Sequence, residues 1–204
     1  MNVKLLTTRT SLQDMENFAT QAGLICHNNE GKQVDNKDFL TRIIKNKHES
    51  VLEHINLTYS IRGLSRACLQ ELARHRHISL SVESTRHTLR TQVENEEYVE
   101  ALADKLMPCE RNLDLLYYFV RLAKISDYSN DELKYYLPEF WPTNLELTSN
   151  VRELRHILKL RTSPEALKEF QVLAHAMADE LPEEFRYWVE DCVHHERQTS
   201  YAGL

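Results

Sequence analysis

The chain has 204 residues, 42% of them apolar and 27% charged, with a net charge of −6. That length and balance suit one globular domain with its own buried core, so residues 1–204 are read as a single domain. Net acidity argues against diffuse coating of nucleic acid, and no run approaches the roughly 20 apolar residues that span a bilayer.

The opening Met1 to Arg9 turns polar too soon for a secretory leader. Cysteines 26, 68, 109 and 192 are scattered with no Cys-x-x-Cys, which predicts a reduced, cytoplasmic protein. The four glycines, 23, 31, 63 and 203, form neither a dinucleotide fingerprint nor a P-loop. Any phosphate bound here must be met by side chains and helix ends.

In chain order, residues 2–8 read as a short strand, 11–23 as a polar helix and 36–46 as an amphipathic helix with Phe39, Leu40, Ile43 and Ile44 on one face. Residues 54–61 alternate apolar and polar and predict a half-buried strand, broken at Gly63. Ser65 caps a helix over 66–76, and 85–91 returns as a strand. Helices follow over 95–107 and 109–126, then a short one begins at Ser129 and carries Lys134; Pro138 and Pro142 end it. A strand at 144–148 leads to a helix capped by Asn150. Ser163-Pro164-Glu165 starts a helix running to about 180, and Pro182 opens the last one. The sum is an α+β, helix-rich fold with a small, mostly antiparallel sheet.

Three constellations carry chemistry. Residues 62–90 hold six arginines, no lysine and two acids, a local +4 in an acidic chain. Arginine without lysine suggests forked recognition of phosphate or carboxylate, or else cations placed against a helix C-terminus. In the helix after Asn150, Val151, Leu154, Ile157 and Leu158 share an apolar face. Arg152, Arg155, His156 and Lys159 are assigned to the opposite face, either a binding surface or a solvated one. Arg161 projects with Leu154 and Ile157, as a fraying end or as a partly buried cation that needs a partner. The third is His48-Glu49-Ser50-Val51-Leu52-Glu53-His54; its histidines lack common zinc spacing, no metal site is expected, and a histidine placed so near a strand start is more often a packing or capping group than a functional one.

Arg74-His75-Arg76, seven residues, then Ser84 resembles the signature of the flavin-dependent thymidylate synthases. His48-x-Ser50-x-x-Glu53-His54 is similar to that family's His-Gly-Ser/Thr-x-x-Glu-His, and Asn150-x-Arg152 through Leu160-Arg161 to its C-terminal element. Leu-Gln-Glu-Leu before Arg74 and Ser-Leu-Ser-Val after His77-Ile78 resemble the epsilon-proteobacterial versions.

The resemblance implies reductive methylation of dUMP to dTMP with FAD as cofactor, and 5,10-methylenetetrahydrofolate and NAD(P)H as cosubstrates. It assigns Ser50, Glu53, Arg74, His75, Arg76, Asn150, Arg152 and His156 to FAD. Glu71, Arg74, Ser84, Thr85, Arg86, Lys134 and Arg161 go to dUMP, with Arg86 and Lys134 at its phosphate. Arg161 and His48 are the implied catalytic residues, Arg161 stabilising charge on the uracil ring and His48 near flavin and folate. The implied assembly is a homotetramer with sites shared between subunits.

Glu49, Glu71, Val82, His87 and Lys134 stand where the family more often has Gly, Gln, Gln or Glu, Tyr and Arg. Ser84 also reads as a nucleophile, for which His75 and His77 are candidate bases, though no acidic orienter is apparent. A nucleic-acid-binding module built on residues 66–90 is the rival reading from another class.

Overall fold

The computed structural model describes residues 1–106 and 110–194. Cys109, the end of the helix expected to reach 107 and the start of the one expected at 109 lie outside them. Four strands, β1 (Asn2–Leu5), β2 (Asn56–Ser65), β3 (Ile78–Val82) and β4 (Pro142–Asn150), form one antiparallel sheet in the order β1-β2-β4-β3. The helices are α1 (Arg9–Cys26), α2 (Asn36–Lys45), α3 (Arg66–Leu72), α4 (Thr85–Glu94), α5 (Glu96–Leu106), α6 (Glu110–Ile125), α7 (Asn130–Leu133), α8 (Val151–Arg161) and α9 (Lys168–Asp179).

Alternation along β2 and β4 buries Leu57, Tyr59, Ile61, Leu145 and Leu147 on one face. The other face is polar; Thr58 and Thr148 meet across it with their hydroxyls 2.9 Å apart. Helices α1, α2, α3, α8 and α9 cover the apolar face, with α2 burying the four side chains its periodicity predicts. A second core joins α4, α5 and α6 around Trp141, whose indole N–H donates to Gln92 at 3.0 Å. Backbone bonds from Arg66 to Trp141 and from Ala67 to Glu139 tie that helical arm to α3.

Several expectations are corrected. The strand expected at 85–91 is helix α4: Thr85, Leu89 and Val93, four apart, are its buried stripe, and β-branched Thr85 imitates strand composition. The strand lies earlier, where Ile78, Leu80 and Val82 pair with β4. Gly63 does not end β2. It sits at φ +75° in a bulge between Arg62 and Leu64, and the strand runs on to Ser65. Helix α3 stops at Leu72, so Arg74, His75 and Arg76 occupy the turn beyond it rather than its last turn. Residues 163–167 form a turn and α9 starts at Lys168, because the buried Gln171 amide binds the Pro164 and Ala166 carbonyls and holds that turn in place. Pro142 heads β4, where its missing N–H costs nothing, rather than only closing the preceding helix. The first strand ends at Leu5, and residues 49–54 form a 3₁₀ turn before β2.

Candidate active site

The site forms where β4 delivers the chain into α8. Asn150 accepts the Glu153 backbone N–H at 2.8 Å, and Val151 N–H reaches the Ile55 carbonyl at 2.8 Å, which fixes the helix start against the 49–54 turn. Arg152, on the exposed side, pairs with Glu53 of that turn. Both groups are about half exposed, so the pair is worth ~0–1 kcal/mol and yields easily to a stronger anion.

On the other flank of α8 a hydrogen-bonded chain runs inward. Glu153 lies 3.2 Å from Nδ1 of His75, and Arg161 Nε donates to Nε2 of the same ring at 3.1 Å. Arg161 Nη1 donates to Glu71 at 3.0 Å, and its guanidinium lies 4.8 Å from the Phe170 ring centre. Since Arg161 Nε can only donate, His75 Nε2 must present a lone pair and Nδ1 carries the proton. Burial holds His75 below the ordinary histidine range; the Glu153 hydrogen bond opposes that, and the Arg161 charge reinforces it. Arg161 is therefore the partnered cation rather than a fraying end.

Two contiguous clefts, of about 680 and 760 Å³, open over this network and share His77, Glu153, His156 and Lys159. The first reaches Glu53, Asn150 and Arg152; the second reaches Arg74, His75, Arg76 and Arg161. Most of the residues assigned to the cofactor thus line one groove. His48 and Ser50 are exposed on the neighbouring turn and are not among the lining residues. His75 is 5% exposed and offers a ligand little more than a ring edge.

The remaining substrate residues lie elsewhere. Four strand steps of about 3.3 Å, roughly 13 Å, separate Ile78 from Val82, so Ser84 is at the far end of β3 from Arg76. Glu83 anchors that end: its carboxylate accepts from Asn144 and Gln92, each at 2.6 Å. Thr85 is buried at the start of α4, Arg86 pairs with Asp131 at 2.9 Å, and Lys134 sits 3.8 Å from the same carboxylate. Ser84 makes no side-chain cap bond, and among the described residues of one chain neither His75 nor His77 reaches its hydroxyl to act as its base. Among the described residues, the cleft that Arg161 lines is not lined by Arg86.

Arg155 corrects the sequence assignment. It lies only about 40° around the helix from Val151. Its side chain is buried and bonded to the Trp188 carbonyl, to Asp191 and to Glu49. It clamps the 183–192 segment onto α8 instead of facing a ligand. Sequence reasoning missed Glu153, because an acid three residues after an Asn cap reads as a capping partner. It also missed Lys47, which carried no pattern of its own, and considered His77 only as a base for Ser84 rather than as a lining residue of the groove. His75, Glu153 and His156 lie within metal-binding distance of one another, with ligand atoms inside 4.8 Å, but Arg161 already occupies the His75 lone pair with a cation.

The family model described as Thymidylate synthase complementing protein matches residues 5–185. The chain is 41% identical over 168 residues to the flavin-dependent thymidylate synthase of Campylobacter jejuni, covering 78% of this chain and 81% of that one. It is 45% identical over 152 residues to the enzyme of that name from Wolinella succinogenes, covering 70% and 74%. In three dimensions it resembles the crystal structure of thymidylate synthase X from Helicobacter pylori with FAD and dUMP, with a TM-score of 0.81 and 34% identity over 96% of this chain and 100% of that one.

Proposed function

This chain belongs to the flavin-dependent thymidylate synthase family, and from that premise we propose that it converts dUMP to dTMP by reductive methylation. 5,10-Methylenetetrahydrofolate donates the carbon, and NAD(P)H is the ultimate reductant. FAD, when bound, supplies the hydride. The groove suits FAD by its own chemistry. A pyrophosphate met without a glycine loop needs cations, and Arg74, Arg76, Arg152 and Lys159 line the clefts. Ser50, Glu53, His75, Asn150 and His156 complete the cofactor set, and His48 borders it.

The fixed guanidinium of Arg161 carries the reading. His75 and Glu71 hold two of its edges, while Nη2 makes no hydrogen bond among the described residues and is left to meet a ligand. Set against the uracil of dUMP, it stabilises the negative charge that appears as the N3 proton leaves, which makes C5 nucleophilic. Arg86 and Lys134 take the phosphate, with Ser84 and Thr85 beside them; the two cations share Asp131, at 2.9 and 3.8 Å. No covalent enzyme nucleophile is required.

We extend the proposal to a homotetramer with shared sites, because the two substrate clusters of one chain lie at opposite ends of β3. A cytoplasmic location fits the unpaired cysteines 26, 68 and 192; among the described residues no helix is long and apolar enough to cross a membrane.

The visible spectrum of the purified protein, with and without dUMP, and tritium release from C5-labelled dUMP test the activity. A flavin band perturbed by dUMP and dUMP-dependent release are expected. Protein that stays colourless with added FAD, releases no tritium and shifts an oligonucleotide with a steep salt slope defeats the reading.

A further inference from the structure

Glu153 takes no part in the assignments above, yet it is 7% exposed and its carboxylate points at His75 rather than at solvent. A carboxylate with that little exposure is costly unless a donor meets it, and His75 Nδ1–H is the side-chain donor that does so. Glu153 and Arg161 are eight residues apart on α8, about 12 Å along its axis and about 80° around it. The imidazole of His75, arriving from the turn after α3, fills the space between them.

We infer that Glu153 is a positioning residue for the thymidylate-forming reaction: it fixes His75 as the Nδ1–H tautomer, and His75 in turn fixes the plane of the Arg161 guanidinium. With the proton on Nε2 instead, two N–H groups would face each other and Arg161 would swing away. Glu71 holds Arg161 from α3 and Phe170 from α9, but each meets a different part of the guanidinium, so neither replaces the Nε bond.

The charged groups facing His75 are Glu153, Arg161 and His156 of α8, with Glu71 behind Arg161; from α9 it meets the Phe170 ring. Protonation of His75 at Nε2 breaks the Arg161 bond, so turnover has an acid limb set by this ring. Glu153 is the group that favours that protonation, and removing its charge moves the limb to lower pH. A purely structural glutamate would leave the limb in place.

The inference rests on Arg161 being the uracil-facing group. Its test uses full-length protein labelled with ¹⁵N-histidine, as wild type, Glu153→Gln and Glu153→Leu, with ring nitrogen shifts read beside kcat and KM for tritium release. Expected are an Nδ1–H tautomer for His75 in wild type and in the Gln variant, whose amide oxygen still accepts. Glu153→Leu should give a mixture, with kcat down on the order of 10-fold or more while KM for dUMP and FAD retention change little. Glu153→Gln should recover most of kcat with its acid limb at lower pH. An unchanged tautomer and kcat in the Leu variant, or equal loss in both variants, overturns the assignment. Wild-type protein that releases no tritium refutes the proposed function instead, while the ring shifts still decide whether Glu153 sets the tautomer.

Discussion

Arg161 and Arg155 lie on one helix, and neither faces open solvent; what each meets separates chemistry from architecture. Arg161 is held by His75 and Glu71 beside a cleft. Arg161→Lys keeps the charge but loses the planar fork, so both it and Arg161→Ala should fold and retain FAD yet lose tritium release by on the order of 100-fold. Near-normal turnover in Arg161→Ala would remove the residue from the mechanism. Arg155 is a clamp. Partial burial alone would raise the Asp191 carboxyl, but the hydrogen bonds and charge of Arg155 outweigh it and hold Asp191 below the usual range. The unfolded chain binds a proton there more readily. This contribution to stability is therefore complete above the unfolded value of about 3.9 and is lost as pH falls through the lower native value. Arg155→Met should lower stability at neutral pH by about 1–2 kcal/mol, since Glu49 and Asp191 lose their shared cation but remain partly solvated, and should flatten that acid limb. Denaturant melts from pH 2 to 7 measure both effects.

The elements do their work at their ends. Helix α4 begins at Ser84, whose hydroxyl caps nothing, while Glu83 is fixed by Asn144 and Gln92. Ser84→Ala should therefore change stability by less than about 0.5 kcal/mol while weakening dUMP binding, as isothermal calorimetry would register; a large melting shift with intact binding would reverse that assignment. Glu83→Ala should do the opposite and loosen the whole turn. In β2 the bulge at Gly63 depends on φ +75°, with its N–H on the Asn144 side chain at 3.0 Å. The space beside it is open enough for a methyl group, its nearest neighbour being Met1 Cα at 3.7 Å. The cost of Gly63→Ala is thus backbone strain of about 1 kcal/mol rather than a clash.

For the whole molecule, the separation of Arg161 from Ser84 along β3 has a direct consequence under the shared-site proposal. Arg161→Ala and Ser84→Ala subunits, the first nearly inactive and the second impaired at dUMP concentrations that saturate wild type, should regain activity when co-refolded. A site that takes Arg161 from one subunit and Ser84 from the other is intact in about one quarter of random pairings. Recovery of nothing, with mixed oligomers verified by mass, would place both residues in the same subunit's site. The two cores are bridged by the Arg66–Trp141 and Ala67–Glu139 bonds and by Gln70 on Glu139, so they should melt as one cooperative unit, which calorimetry would register as a single transition.

By itself the sequence determined what depends on nearest neighbours and periodicity. The amphipathic α2, the alternation of β2, the Asn150 cap and the oddity of Arg161 on an apolar stripe were legible, because a helix or strand repeats its burial every few residues. The signature residues were legible as well, through their resemblance to a family. Tertiary structure decided the rest. Residues 85–91 became helix because Thr85, Leu89 and Val93 face the core around Trp141, and β4, far along the chain, paired with 78–82 instead. Arg155 became a buried clamp because Asp191 and Glu49 come to it from distant segments. The Glu153 carboxylate gained a buried partner because the turn after α3 brings His75 within 3.2 Å. Each of these outcomes depends on a partner tens of residues away, and local pattern carries no information about which distant group arrives.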